Sequence, residues 1–404
     1  MILQRNIDDK WKEIKEDKLK EIGIYIHIPF CKKKCKYCDF TSFCFDEEKI
    51  KEYFRVLKSE IINFKLKDNF FDEYKITTIY FGGGTPSFPE SKYIVRIVDL
   101  LKEKFHLESE IGNGIDDQVE MTIEVNPGTV NIAKLIEYRL CGFNRISIGL
   151  QSTDNRLLEL IGRIHKYSDF LNTYNMAMNA GFTNINVDLM LGLPTQTEEE
   201  LSESVRKVIS LHPSHISVYS LILEEGTPLY DDVQKGKVTL ISERLERKMY
   251  WDTKELLEAN NYKHYEISNF AIKGKESKHN LNCWNQKEYF GFGLGAHSYF
   301  NGERYSNTTD FDIYIENSDN IRTIEETQNS ILEKSKEYMM LGLRKIDGVS
   351  ISKFEEIFHL NPLYYFKKEI DKLTSYDLIE IDNDYIKLSK KGIDLANIVF
   401  EEFI

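Results

Sequence analysis

Cys31, Cys35 and Cys38 fall within eight residues of the stretch YIHIPFCKKKCKYCDF (25–40), a C-x3-C-x2-C pattern suited to metal chemistry. Three thiols so spaced meet at one centre only if the backbone curls tightly around it. A four-cysteine zinc site needs a fourth ligand at a recognisable spacing. Cys44 lies six residues on, across an apolar TSF, and Cys141 and Cys283 are far away. A [4Fe–4S] cluster also normally takes four cysteines. With three, one iron keeps an open position, the feature a catalytic metal uses. The competing reading is a reduced thiol cluster on a charged loop. Lys32, Lys33, Lys34 and Lys36 would favour thiolates and offer a positive lip to an acidic electron donor. Cys44, Cys141 and Cys283 show no paired spacing and read as buried thiols of a reducing compartment.

The elements that must hold these thiols repeat along the first half of the chain. Strand patterns cover 23–30, 75–83, 119–127, 145–152, 184–194 and 215–223, with helix-length segments at 46–67, 90–105, 130–141, 154–179 and 196–211. Six strand-then-helix repeats with apolar strands imply a parallel sheet covered by helices, an α/β fold. Several strands run into Gly, Pro, Asn or Gln (FGGGTP, EVNPG, LQS, LGLP), and in barrel-like folds chemistry sits at that carboxyl end. Triple glycine at 82–84 lets backbone approach a ligand closely, and alone it is equally a tight turn. The acidic segment 103–120 reads as a surface excursion. Beyond 225 a long helix (242–262) precedes a stretch rich in aromatics, Gly, His and Asn. The C-terminal LIEIDNDYIKL reads as a hairpin of a small winged-helix-like domain. The expected organisation is an N-terminal helical extension (1–22), a β/α domain (23–225), an extension carrying HNLNCW (226–325) and the C-terminal domain (326–404).

The 404 residues carry a net charge of −13, which argues against extended nucleic-acid binding. That acidity, and the lack of a strongly basic helix near the C-terminus, weigh against a winged-helix nucleic-acid binder. No apolar run approaches the ~20 residues of a membrane span. The N-terminal stretch lacks the apolar middle of a secretory signal and is too acidic for a transit peptide. A cytoplasmic protein is expected.

C-x3-C-x2-C with Tyr37 before the last cysteine, after the first strand of a repeated β/α domain, resembles the radical S-adenosylmethionine (SAM) enzymes. The resemblance implies a partial (β/α)6 barrel and a [4Fe–4S] cluster on Cys31, Cys35 and Cys38, with the amino acid end of SAM on the fourth iron. It implies SAM contacts from Gly83, Gly84 and Thr85. Glu124 and Asp188 would accept from ribose hydroxyls, Gln151 would donate and accept, and Arg163 would pair with the carboxylate. Tyr25 and Tyr37 resemble further cofactor-contacting positions.

YFGGGTPS, EVNPG, RISIGLQS, VDLMLGLPTQT, YEISNFA, HNLNCW and GFGLGAHS follow in the order found in oxygen-independent coproporphyrinogen III oxidase-like proteins. Within that family, the coproporphyrinogen dehydrogenases carry a further cysteine where this chain has Phe40, and a longer arm before the first cysteine. Both departures resemble instead the HemW-type heme chaperones, which bind heme and deliver it to apo-hemoproteins. Their heme-linked H-N-x-x-Y-W signature reads His279, Asn280, Leu281, Asn282, Cys283, Trp284 here, with cysteine for the usual tyrosine. The resemblance implies heme near His279, an apo-hemoprotein acceptor, a flavodoxin- or ferredoxin-like electron donor and peripheral membrane contact during heme delivery. The alternatives are SAM-dependent conversion of coproporphyrinogen III to protoporphyrinogen IX, or another radical tetrapyrrole reaction such as ring opening. His27, His297 and the GFGLG turn read as structural.

Overall fold

The computed structural model describes residues 19–107, 119–316, 322–324 and 330–404. Segment 1–18 and most of the expected excursion at 103–120 lie outside them. Six strands, β1 (Lys20–Ile28), β2 (Tyr74–Gly83), β3 (Glu120–Val125), β4 (Arg145–Gln151), β5 (Asn184–Leu191) and β6 (His215–Ser220), pair in parallel in chain order. The strand β1 begins at Lys20, so residues 20–22 join the sheet rather than a helical extension.

Alternation explains the layering. In β1, Ile22, Ile24, Ile26 and Ile28 are fully buried in the core shared with the helices, and Gly23, Tyr25 and His27 take the opposite face. Each isoleucine so buried is worth about 1.5–3 kcal/mol. The helices that return the chain carry ordinary start and stop chemistry. Asn131 caps Ile132–Cys141, Gly142 ends it at φ 117°, and Thr197 with Glu200 forms a capping box on Glu198–Ile209.

The barrel is open: β1 and β6 do not pair, and each recruits an outside strand. After β7 (Lys263–Glu266), β8 (Asn269–Ala271) lies antiparallel to β6, whereas β9 (Tyr289–Phe292) lies parallel to β1. With β10 (His297–Phe300), β11 (Glu303–Asn307) and β12 (Arg322–Ile324) the result is one sheet of 12 strands. This is the partial barrel expected. The glycine turn after β9 is structural, since Gly293 N–H donates to Glu60 (3.0 Å) and a side chain there would strike Tyr53.

One expected helix divides. Segment 154–179 forms Asn155–Leu160 and Tyr167–Asn179, broken at Gly162, whose φ of 79° and 3.0 Å Cβ approach to Lys36 favour glycine. The break carries Arg163 to the strand ends. The C-terminal part has its own core, including Met339, Phe354, Ile370 and Ile386, under a three-stranded sheet. The expected hairpin is Ile379–Asp382 with Tyr385–Leu388. Arg344 joins the two parts, its guanidinium 4.4 Å from the Trp284 ring and 5.6 Å from Phe400.

Candidate cofactor site

The cysteine loop leaves β1 and closes over the carboxyl ends of the parallel strands. Cys31 N–H donates to Phe43 O (2.9 Å), Phe43 N–H to Pro29 O (2.8 Å), Lys36 N–H to Ile161 O (3.0 Å), and Leu229 N–H to Lys36 O (2.8 Å). Tyr37 anchors the loop on an apolar patch with Leu157, Ile161, Met190 and Leu193. Beneath it lies a cavity of about 500 Å³. Cys31, Cys35, Cys38, Tyr37, Gly83, Gly84, Thr85, Glu124, Gln151, Arg163 and Asp188 all line it.

Polar groups aim at the sulfurs. Thr85 Oγ1 is 3.4 Å from Cys31 Sγ, and Arg163 Nη1 donates to Cys35 Sγ over 3.5 Å. Arg163 Nη2 donates to Asn126 Oδ1 (2.7 Å) and to Gly149 O, while its buried Nε has no partner. The thiols are free. Burial raises Cys31 and pushes Cys38 up to about 11, with Lys34 offsetting little of it. Lys34 does favour the Cys38 thiolate, as expected, but burial outweighs it there, and Lys36 pairs with Asp232 at 3.3 Å. Cys44 is exposed rather than buried, whereas Cys141 is buried as expected.

Glu124 accepts from Tyr80 Oη (2.8 Å), and burial lifts its carboxyl to about 7. Burial also raises Asp188, against hydrogen bonds from Asn186 (2.7 Å) and Ser147 (3.1 Å).

Two expected residues stay outside the cavity. Tyr25, Tyr80 and His279 form one triangular ring cluster, with centroids 6.3 Å (Tyr25–Tyr80), 5.1 Å (Tyr80–His279) and 6.4 Å (Tyr25–His279) apart. His279 is buried because its helix, Lys278–Trp284, inserts against the sheet: Glu120 accepts from the N–H groups of Lys278 and His279 at 3.2 Å each. Nδ1 of His279 bonds Thr78 Oγ1 at 2.9 Å, and burial lowers its pKa to about 4. Asn280 does reach the cavity. Cys283 is half-buried rather than buried, and desolvation pushes its thiol up to about 11. His27 is structural as expected, held by Thr41 O at 2.9 Å, but His297 is exposed rather than packed.

Sequence reasoning passed over Asn126, Tyr80, Arg145, Ser147, Asn186, Ser217 and Tyr219, all lining the cavity. Their signal was a period of two. Six are polar residues at alternate positions of strands whose other positions are apolar, so they share the inner face, and Asn126 continues the alternation of β3 one residue past its end.

The donor set fits an iron–sulfur cluster and an amino-acid-bearing cofactor. Three free thiols face one cavity, an unsatisfied guanidinium edge stands beside them, and a Cβ on Gly84 would come within 3.1 Å of Cys31 Sγ. Among the described residues no three His, Cys, Asp or Glu side chains are grouped closely enough for a single metal ion.

Fold and site together define a radical SAM protein. The radical SAM superfamily model matches residues 25–208, and the HemN C-terminal domain model matches 332–395. The superfamily implies a [4Fe–4S] cluster and SAM. The heme chaperone HemW of Bacillus subtilis is 37% identical over 384 residues, spanning 94% of this chain and 98% of that protein. HemW of Lactococcus lactis is 36% identical, spanning 94% and 96%. The chain belongs to the HemW family. Coproporphyrinogen III oxidase (HemN) from Escherichia coli has the same fold, with a TM-score of 0.78 at 23% identity over 95% of this chain and 90% of that one.

Proposed function

We propose that this chain is a cytoplasmic heme chaperone, binding heme and handing it to an apo-hemoprotein, with a [4Fe–4S] cluster and SAM in its barrel mouth. The observation that carries the reading is likeness along 94% of the chain to relatives named heme chaperones. Among the described residues no helix is long and apolar enough to cross a membrane, which suits a carrier that meets membranes only at their surface.

In this reading Cys31, Cys35 and Cys38 hold the cluster. Gly83, Gly84 and Thr85 receive the amino end of SAM, and Arg163 its carboxylate. Glu124, Asp188 and Gln151 take the ribose and its surroundings, and Tyr37 shields the loop. The bound pair supplies one-electron reductive chemistry, and the protein orients it and excludes water. Exposed Lys32, Lys33 and Lys34 ring the mouth, where an acidic electron donor such as a flavodoxin or ferredoxin would dock. His279 is assigned to heme association. Its Nδ1 is engaged by Thr78 at 2.9 Å, so Nε2 would be the nitrogen offered to an iron.

The test is anaerobic reconstitution followed by heme titration and transfer to an apo-hemoprotein. A Soret band, and its passage to the acceptor, are expected. Failure of both, or conversion of coproporphyrinogen III to its vinyl product with SAM, overturns the reading.

A further inference from the structure

Two of the three cysteines are tied together by a polar chain whose middle member belongs to neither the thiols nor the resembled cofactor contacts. Asn126 follows β3 and is fixed on both sides. Pro127 comes next, and the Asn126 carbonyl accepts from Thr129 N–H (3.1 Å) and Thr129 Oγ1 (2.7 Å). Its side chain faces the cavity. Oδ1 accepts from Arg163 Nη2 at 2.7 Å, and Nδ2 donates to Thr85 Oγ1 at 2.7 Å. The amide orientation is fixed chemically, because a guanidinium only donates.

That polarity has a consequence for Cys31. A hydroxyl has one hydrogen. With Asn126 donating to its oxygen, Thr85 has that hydrogen left for Cys31 Sγ, 3.4 Å away. Arg163, steadied by Asn126, donates to Cys35 Sγ at 3.5 Å. One carboxamide therefore directs a donor onto each of two cluster-holding sulfurs. Hydrogen bonds to cluster sulfurs set reduction potential, and partners behind the ligands hold them in place.

We propose that Asn126 is a positioning residue that sets the cluster's potential by orienting the Thr85 hydroxyl toward Cys31 and the Arg163 guanidinium toward Cys35. The inference rests on the cluster reading above. Asn126→Asp reverses the polarity: a carboxylate accepts from Thr85 and withdraws the hydroxyl hydrogen from the sulfur. Asn126→Ala leaves that hydroxyl unguided without adding charge.

The experiment is anaerobic reconstitution of the full chain, with iron and sulfide content, EPR of the reduced cluster and a redox titration without SAM. Wild-type, N126A, N126D, T85V and the T85V/N126A double variant are compared. N126A and N126D load iron like wild type, with altered EPR g-values and more negative potentials, N126D the more so. T85V shifts in the same direction, and adding N126A to T85V moves the potential by less than N126A does alone. Unchanged potentials and g-values in N126A and N126D, a positive shift in N126D, or full additivity in the double variant overturns the proposal. If N126A or N126D fails to retain iron, melting of the apo-protein decides. An unchanged melting temperature supports a role in holding the cluster, and a lowered one overturns it in favour of a structural role. If wild type itself takes up no iron and sulfide, the cluster reading fails, a separate result.

Discussion

Replacing Glu124 by Gln should make the cofactor-free protein more stable at alkaline pH and bind SAM more weakly. Burial raises the Glu124 carboxyl from an ordinary 4.5 to about 7. Between those values the folded chain keeps a proton that the unfolded chain has released, so raising the pH erodes stability across that window. Above about 7 the full penalty is present. At 1.36 kcal/mol for each tenfold change it comes to about 3 kcal/mol in a dry wall, and cavity water screens it to roughly 1–3 kcal/mol. Glutamine removes the ionisation and still accepts from Tyr80 Oη. For a chain of 404 residues the gain is about 1–4 °C in melting temperature. Thermal unfolding of both apo-proteins from pH 5 to 8.5 is the assay. The two profiles should converge near pH 5 and separate above 7 with the variant higher, while SAM protects it less. Parallel profiles, or a variant lower throughout, refute the argument.

Three further outcomes follow from the geometry. Gly84→Ala places a Cβ 2.9 Å from Phe30 O and 3.1 Å from Cys31 Sγ, a misfit of about 1–3 kcal/mol that should cut reconstituted iron below half of wild type. Full loading contradicts it. Arg163→Lys puts a point charge where a fork serves Cys35, Asn126 and Gly149, so the SAM dissociation constant should rise about tenfold by calorimetry with iron retained. An unchanged constant tells against the assigned carboxylate contact. Arg344→Met removes the cation between Trp284 and Phe400, at a cost of about 2 kcal/mol, and should quicken proteolysis of residues 349–404. Wild-type cleavage rates would mean that the junction is held elsewhere.

The barrel was legible because its strands are short apolar runs, several of them ending in Gly, Pro, Asn or Gln, and alternate with helix-length segments. The thiols were legible from spacing alone. Arg163 was legible only by resemblance: local pattern joined residues 154–179 into one helix, and the break at Gly162 depends on Lys36 from a distant loop. The surroundings of His279 were hidden for a related reason. Its motif is local, but its burial is decided by Glu120 and Thr78, over 150 residues away in the chain. Asn126 stands in the EVNPG motif, but its role lies in what it bonds on two other segments. Burial overruled the lysines because proximity in sequence says nothing about desolvation.

Every thiol of the site rides on one short loop, pinned by main-chain bonds that involve Phe43, Pro29, Ile161 and Leu229. A zinc finger that loses its ion loses its shape. Here the sheet has its own isoleucine layer, and the loop has its own main-chain bonds. Loss of a cluster to oxygen is then expected to leave the sheet folded, and circular dichroism before and after exposure to air checks it.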